Sequence, residues 1–305
     1  MPVLTSPHGA LPMRFRRQRV LIVGCGDVGL RAAAALPARV RLLALTSTPT
    51  RRAELRARGI TPLSGNLDEA ATLRRLAGLA TRVLHLAPPP GEGSDDPRTR
   101  DLLNALRRRT PPAALVYGST SGVYGDCAGE WVTETRPLRA GTPRAQRRVA
   151  AERLVRFHGH SGLRTSILRI PGIYAPDREG GTPRERLQRG TPVLCAEDDV
   201  YTNHIHANDL ARACVAALWR GAAQRVYHAS DDTQLKMGDY FDLAARLYGL
   251  PLPRRISRQE AREQLPPLLL SFMSESRRLD NTRLKRELRV ALRYPDVTSG
   301  LRQKP

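Results

Sequence analysis

"RVLIVGCGDVGLRAAAAL" (residues 19–36) runs from an apolar stretch through a glycine turn into a helix. Gly24, Gly26 and Gly29 set G-x-G-x-x-G at that strand-to-helix junction. Gly24 permits the tight turn, Gly26 lets backbone approach a pyrophosphate, and Gly29 lets helix and strand pack closely. With Asp27 and Val28 the turn opens a helix whose N-terminus offers amide donors and a positive dipole. The stretch predicts a dinucleotide site at the start of an α/β domain.

Working outward, "RVRLLALTS" (39–47) reads as a second strand and "TRRAELRARG" (50–59) as a helix that stops at glycine. "ATLRRLAGL" (71–79) reads as helical, and "RVLHLAP" (82–88) as a third strand. The helix "PRTRDLLNALRRR" (97–109) and the strands "AALVYGS" (113–119) and "RTSILRI" (164–170) continue the alternation. Between those two strands, "TPRAQRRVAAERL" (142–154) begins a helix with Thr142 as cap and Pro143 at the first helical position. Alternating strands and helices imply a Rossmann-like, doubly wound parallel sheet with helices on both faces.

After Pro171 the pattern loosens. Helices are expected at 208–221, 238–250 and 282–289, with a short strand at 225–230 and a proline-punctuated stretch at 251–267. The organisation expected is a disordered leader at 1–18, a dinucleotide-binding domain at 19–170, and a smaller substrate-side region at 171–305. Some segments of that last region pack back on the first domain.

Composition narrows the partners. The formal charge is +21, with only three lysines (Lys236, Lys285 and Lys304) among 50 basic residues. The arginines are dispersed along the chain, which favours weak non-specific attraction to nucleic acid over a dedicated interface. No apolar run approaches the roughly 18 residues that would span a bilayer. The four cysteines (Cys25, Cys127, Cys195 and Cys214) show no zinc or redox spacing and fit a reduced, cytoplasmic setting.

The end of the second strand chooses between nicotinamide cofactors. An acidic residue there would bond the ribose 2′-hydroxyl of NAD. Thr46 and Ser47 stand there instead, with Arg51 and Arg52 just beyond, and hydroxyls with guanidinium suit a 2′-phosphate. NADP is therefore expected over NAD.

The ordered series of motifs resembles the extended short-chain dehydrogenase/reductases, specifically an atypical branch of the NAD-dependent epimerase/dehydratase family. The resemblance rests on the glycine turn, "GNL" (65–67), "VLHLAPP" (83–89), "STSGVYG" (119–125), "LRIPGIYAP" (168–176), "NHIHANDLA" (203–211) and "YHASDD" (227–232). It implies that Asn66 and Leu67 lie by the adenine, Ala87 and Pro88 along the cofactor ribose, and Pro171 and Ile173 by the nicotinamide. It also implies a small-molecule substrate: a nucleotide sugar or another anionic carbonyl compound. A homodimer is allowed and not required.

The same resemblance exposes a departure. Counting back from "AAERL", the family's catalytic tyrosine falls on Arg144 and its lysine on Arg148. Arginine stays protonated below a pKa of about 12 and cannot exchange a proton with substrate. Arg148 can hold the nicotinamide ribose, Arg144 can clamp an anion, and Thr120 can orient the substrate oxygen. Dehydratases that resemble this family carry Asp-Glu where Ser121 and Gly122 stand, so water elimination is not expected. A replacement acid is sought among Tyr124, Tyr174, Tyr201 and His204, although the first suits a structural role better. His85, His204 and His206, with Asp209, read as packed side chains, and no metal is expected. Two readings stay open: an NAD(P)-dependent oxidoreductase or epimerase-like enzyme, and a dinucleotide-bound redox sensor or interaction protein with little or no turnover.

Overall fold

The computed structural model describes residues 17–302. The leader expected at 1–18 lies outside that range except for Arg17 and Gln18. Arg17 Nε donates to Arg39 O at 3.0 Å, and Gln18 O accepts from Arg41 N at 2.8 Å.

Seven strands form one parallel sheet: β1 (Arg19–Val23), β2 (Arg41–Thr46), β3 (Ile60–Ser64), β4 (Arg82–His85), β5 (Ala114–Thr120), β6 (Arg164–Ile170) and β7 (Arg225–His228). Their spatial order is β7-β6-β5-β4-β1-β2-β3. Val23 faces Leu45 on one side and His85 on the other. The chain reverses direction across the sheet between β1 and β4, so the C-terminal ends of these two strands frame a crevice, the place where open α/β sheets bind ligands.

Helices α1 (Asp27–Ala35), α2 (Arg51–Ala57), α3 (Pro97–Leu106), α4 (Pro143–His160) and α5 (Ala207–Arg220) cover both faces, and α6 (Met237–Tyr248) packs in a separate core of the C-terminal segments. On one face Val20, Ile22, Leu84 and Val116 pack with Leu210, Cys214 and Ala217 of α5. On the other, Leu21, Val83, Leu115 and Tyr117 pack with Leu102 and Leu106 of α3 and Val155 of α4. Side chains alternate across a strand, so β1 feeds both cores.

Two details differ from the pattern reading. Residues 60–64, passed over between two helices, form β3; its Pro62 has no N–H to donate, which the sheet tolerates because β3 is an edge strand. The helical stretch at 71–79 is a one-turn α-helix, Ala70–Leu73, running into a 3₁₀ turn, Arg74–Leu76. β7 comes from beyond Pro171, yet joins the main sheet beside β6, with Val226 opposite Ile167.

The remaining C-terminal segments build a third core from Val193, Leu194, Phe241, Ala244, Ile256 and Met273. α6 ends where Gly249 turns left-handed at φ +63°. Ser257 and Glu260 form a reciprocal capping box at the start of helix Arg258–Gln264. Among the described residues no helix is long and apolar enough to cross a membrane.

Candidate functional site

The turn after β1 is defined by backbone. Gly24 has φ +86°, and a Cβ there would lie 2.3 Å from Ala87 N, so only glycine fits. A Cβ on Gly29 would meet Gly24 O at 2.9 Å, which keeps α1 tight against the turn. Around Gly26, by contrast, a Cβ would find nothing within 4 Å. No side chain caps α1, so its first N–H groups remain available in that open space. A pyrophosphate fits this cradle on both shape and charge.

The other expected cofactor contacts border the same crevice. Val28 packs into the core beneath α1. Asp27 opens the helix, where a free carboxylate would oppose a phosphate. Here Arg31 Nε holds it at 2.8 Å and Arg178 Nη1 at 3.3 Å. At the end of β2, Thr46 Oγ1 accepts from Thr48 N at 3.2 Å, and Ser47 is exposed. Arg51 Nη2 donates to Cys25 O in the glycine turn at 2.9 Å, and Arg52 bonds Ser64 Oγ. Asn66 follows β3, where its N–H donates to Thr72 Oγ1 at 2.9 Å; Leu67 packs against the neighbouring core. Ala87 is buried against Gly24, and Pro88 lines the cleft described next.

A cleft of about 620 Å³ opens between the sheet and the C-terminal segments. Thr120, Ser121 and Gly122 lie on one wall, Arg144, Arg147 and Arg148 on another, and Pro171 with Gly172 on a third. Ile173 pairs with Ile205 just behind that third wall. Arg186, His204, Tyr240, Phe272, Glu275 and Arg277, all from beyond Pro171, complete the lining. Thr120 Oγ1 accepts from Gly122 N at 3.2 Å, which fixes the hydroxyl at the tip of β5.

The arginines are held in different ways. The Thr142 cap accepts from Ala145 N at 3.2 Å and starts α4 where the sequence placed it. Four residues separate Arg144 from Arg148, so both face the cleft. Arg148 Nη1 donates to Tyr117 Oη at 3.0 Å and to Gly118 O at 2.8 Å, which commits one edge of the guanidinium to the sheet. Arg144 lies over the Phe272 ring at 4.7 Å. One turn of helix between them carries Arg147, whose Nη1 donates to Gly93 O at 2.8 Å. Arg186 stacks on Phe241 at 4.3 Å, and burial, followed by the charge of Arg189, pushes its pKa down to about 10. Nε of Arg147, Nε and Nη2 of Arg186, and Nε of Arg277 are buried without a protein partner. Buried donors of this kind are costly unless a ligand or water satisfies them.

Behind the cleft α4 is locked to the sheet. Glu152 accepts from Arg169 Nη2 at 2.7 Å, Arg169 Nε at 3.1 Å and Ser119 Oγ at 2.6 Å. Arg169 Nη1 also donates to Tyr124 Oη at 2.6 Å. Tyr124 in turn donates to His228 Nε2 at 2.5 Å, and His228 Nδ1 donates to Asp280 O at 2.8 Å. Burial holds His228 near 3, so its ring is neutral as this tautomer requires. Tyr124 is thus part of a buried strut and does not line the cleft.

The remaining candidates divide. Tyr174 is buried and donates to Asp296 O at 3.1 Å, outside the cleft lining. Tyr201 and His204 do line it. His204 is neutral, its pKa held near 4 by burial, and its Nε2 lies 3.0 Å from Thr202 Oγ1. His85 is a core side chain against Thr99 Oγ1 at 2.9 Å, with burial and then Arg148 holding it near 3. Asp209 anchors the tail by accepting from Arg293 N and Tyr294 N, and His206 stacks on Tyr294 at 3.8 Å between centroids.

Arg147, Arg186, Glu275 and Arg277 escaped the sequence reading. Arg147 stood in plain view inside the helix, and its signal was the doubled arginine pair 147–148. Arg186 lies on the short helix Arg184–Gln188, and Glu275 and Arg277 lie in an irregular segment; no spacing rule links them, and tertiary folding alone brings them to the cleft.

Several solved structures share this architecture. A functionally unknown conserved protein from Silicibacter pomeroyi is 28% identical, with a TM-score of 0.75 over 93% of this chain and 97% of its own. The Thermotoga maritima UDP-glucose 4-epimerase, solved with UDP-glucose, is 17% identical, with a TM-score of 0.77 over 93% and 96%. The Bacillus cereus UDP-glucuronic acid 4-epimerase, in complex with NAD, is 18% identical, with a TM-score of 0.73 over 93% and 96%. At these last two identities the likeness is one of fold. No curated protein matches the chain. The family model described as "NAD dependent epimerase/dehydratase family" matches residues 20–229, from the first strand through the sheet's last, and the chain belongs to that family.

Proposed function

We propose that the chain is an NAD(P)-dependent oxidoreductase of the epimerase kind, acting on an anionic sugar nucleotide. One observation carries the reading: Thr120 and the Pro171–Gly172 backbone open onto the same cleft as five arginines, three of which bury N–H groups without a partner. An anionic ligand would satisfy those donors, and arginine recognises phosphate or carboxylate through its planar fork. The fold relatives solved with UDP-glucose and with NAD supply the substrate class and the cofactor class to test.

Bound nicotinamide would supply the hydride acceptor and donor. The turn from Gly24 to Gly29 and the first amides of α1 would hold its pyrophosphate, and Arg148 its ribose. Arg51, with no carboxylate at the end of β2, favours the 2′-phosphate of NADP. Thr120 would orient the substrate oxygen, and Arg144 would hold a negative group on the substrate. With arginine at both positions of the family's proton-transfer pair, a cofactor-bound sensor is the second reading.

Melting curves with NADP or NAD, each with UDP-glucose or UDP-glucuronate, test this together with product analysis. A ligand at about 100 times its dissociation constant adds about 2.7 kcal/mol. The expected result is a larger shift with NADP, a further shift with a sugar nucleotide, and conversion of that nucleotide. No shift with either cofactor would sink the proposal. A cofactor shift with no conversion of any sugar nucleotide would favour the sensor.

A further inference from the structure

We propose that Glu275 is the residue that takes and returns the substrate proton in this cleft, an assignment that rests on the enzyme reading above. It is the only carboxylate among the residues lining the cleft. Gly122 has no side chain, and two groups border the space where its Cβ would sit. Thr120 Oγ1 lies 3.6 Å from that point and Glu275 Oε2 lies 3.9 Å from it. A substrate hydroxyl oriented by Thr120 would therefore lie beside a space that the Glu275 carboxylate also borders.

Glu275 reaches this gap from the segment that follows the short helix Pro267–Phe272. Its Oε2 accepts from Arg277 Nη1 at 2.9 Å, and Arg277 Nη1 is also held by Gly125 O at 2.8 Å. The carboxylate also faces the charge of Arg144. Only 16% of its side chain is exposed. A carboxylate oxygen placed in this way can accept a proton. Arginine at 144 and 148 cannot accept one.

The other polar groups of the cleft serve the role less well. His204 is engaged by Thr202, and burial pushes the Tyr240 hydroxyl far above its usual range. Tyr201 runs beside the Glu275 segment, its N–H donating to Ser276 Oγ at 3.0 Å, and Arg278 covers its ring at 4.8 Å.

In the oxidising direction the substrate carbon gives its hydride, with the bonding electron pair, to the oxidised nicotinamide. The hydroxyl proton passes to Glu275, and C–O becomes C=O. The reverse step returns the proton to oxygen and the hydride to carbon, so Glu275 ends as it began.

Glu275→Gln tests the assignment. The amide keeps the shape and loses the base. With the two sugar nucleotides used above, conversion should fall about 10²- to 10⁴-fold, the range for a positioned acid–base group. The cofactor melting shift should be unchanged. Affinity for the anionic sugar nucleotide should hold or tighten, because a negative charge leaves the cleft. A residue that only braced Arg277 and Arg144 would loosen binding together with rate. Glu275→Asp should keep part of the activity, and formate should restore some to Glu275→Ala. Glu275→Gln converting substrate within about threefold of the unaltered chain would overturn the assignment. So would parallel losses of affinity and rate. An unaltered chain that binds cofactor yet converts neither nucleotide would overturn the enzyme reading, and this assignment with it.

Discussion

The glycine turn after β1 and the first two turns of α4 tolerate change very differently. The turn is made of backbone: a Cβ at Gly24 would fall 2.3 Å from Ala87 N, one at Gly29 would fall 2.9 Å from Gly24 O, and Gly26 leaves room for a ligand. A side chain has no place at Gly24. The start of α4 presents side chains only, and its shape depends on a cap at Thr142 and a lock at Glu152, not on what occupies positions 144 and 148. The family's fold survives arginine at both of those positions because no backbone geometry depends on them. The geometry of the turn is therefore fixed by steric necessity, whereas the chemistry that the first turns of α4 offer rests on exchangeable side chains.

The largest effect that would break this contrast belongs to the turn. Gly24→Val places a branched side chain at φ +86° and 2.3 Å from a backbone nitrogen. It should cost more than about 4 kcal/mol, and no cofactor-dependent melting transition should remain. Gly26→Ala meets open space, so it should fold normally and lose the cofactor shift alone. If Gly24→Val folds and binds cofactor as before, the backbone account of the turn fails.

Next in size is the lock on α4. Arg169 and Glu152 are each 2% exposed at the side chain. Glu152→Gln leaves the Arg169 charge buried and uncompensated, which costs about 3–5 kcal/mol. Replacing both residues by apolar ones of similar volume should recover much of that loss. Urea titration of the single and double variants measures it. A single variant within about 1 kcal/mol of the unaltered chain would show that the helix is held some other way.

The arginines themselves come third. Arg148→Ala should weaken cofactor and Arg144→Ala should weaken only the anionic substrate. Each loses a charged hydrogen bond, about 1.5–3 kcal/mol or ten- to a hundredfold in affinity. Arg148→Ala should also soften the sheet slightly, since it gives up Tyr117 Oη and Gly118 O. Titration calorimetry separates the two. If Arg144→Ala leaves both affinities intact, the arginine clamp has no role.

The same contrast explains what could be read from the chain alone. The turn at 24–29 was legible because its requirements are local: a run, three glycines at fixed spacing, then a helix. Thr142 and Pro143 were legible for the same reason, and Arg144 with Arg148 followed from counting along one helix. β3 was hidden because Pro62 argues against a strand unless the strand is known to be at an edge, which is a tertiary fact. Glu275 and Arg186 were hidden because each lies far along the chain from Thr120, the first in an irregular segment and the second on a short helix, Arg184–Gln188. Tyr124 stands inside "STSGVYG", which pointed to a structural role; its buried partners Arg169 and His228 come from β6 and β7, which no local pattern joins.

The smallest expected effect tests where the two regions meet the cofactor's far end. Arg51 Nη2 bonds Cys25 O at 2.9 Å, so the side chain arches from α2 back to the glycine turn. Its Nε also lies 3.4 Å from Glu54 Oε2, and about a third of the side chain is exposed. A guanidinium so placed has already lost much of its rotamer freedom, which favours binding, yet solvent and salt screen its charge. Arg51→Ala should therefore weaken NADP by only about 1 kcal/mol, roughly fivefold, and leave NAD unchanged. The difference should shrink as salt is raised. Arg51→Glu should go further and reverse the preference, because a carboxylate there accepts from a ribose 2′-hydroxyl and repels a 2′-phosphate. Equal weakening of both cofactors by Arg51→Ala would mean that the residue braces the turn through Cys25 and reads no phosphate.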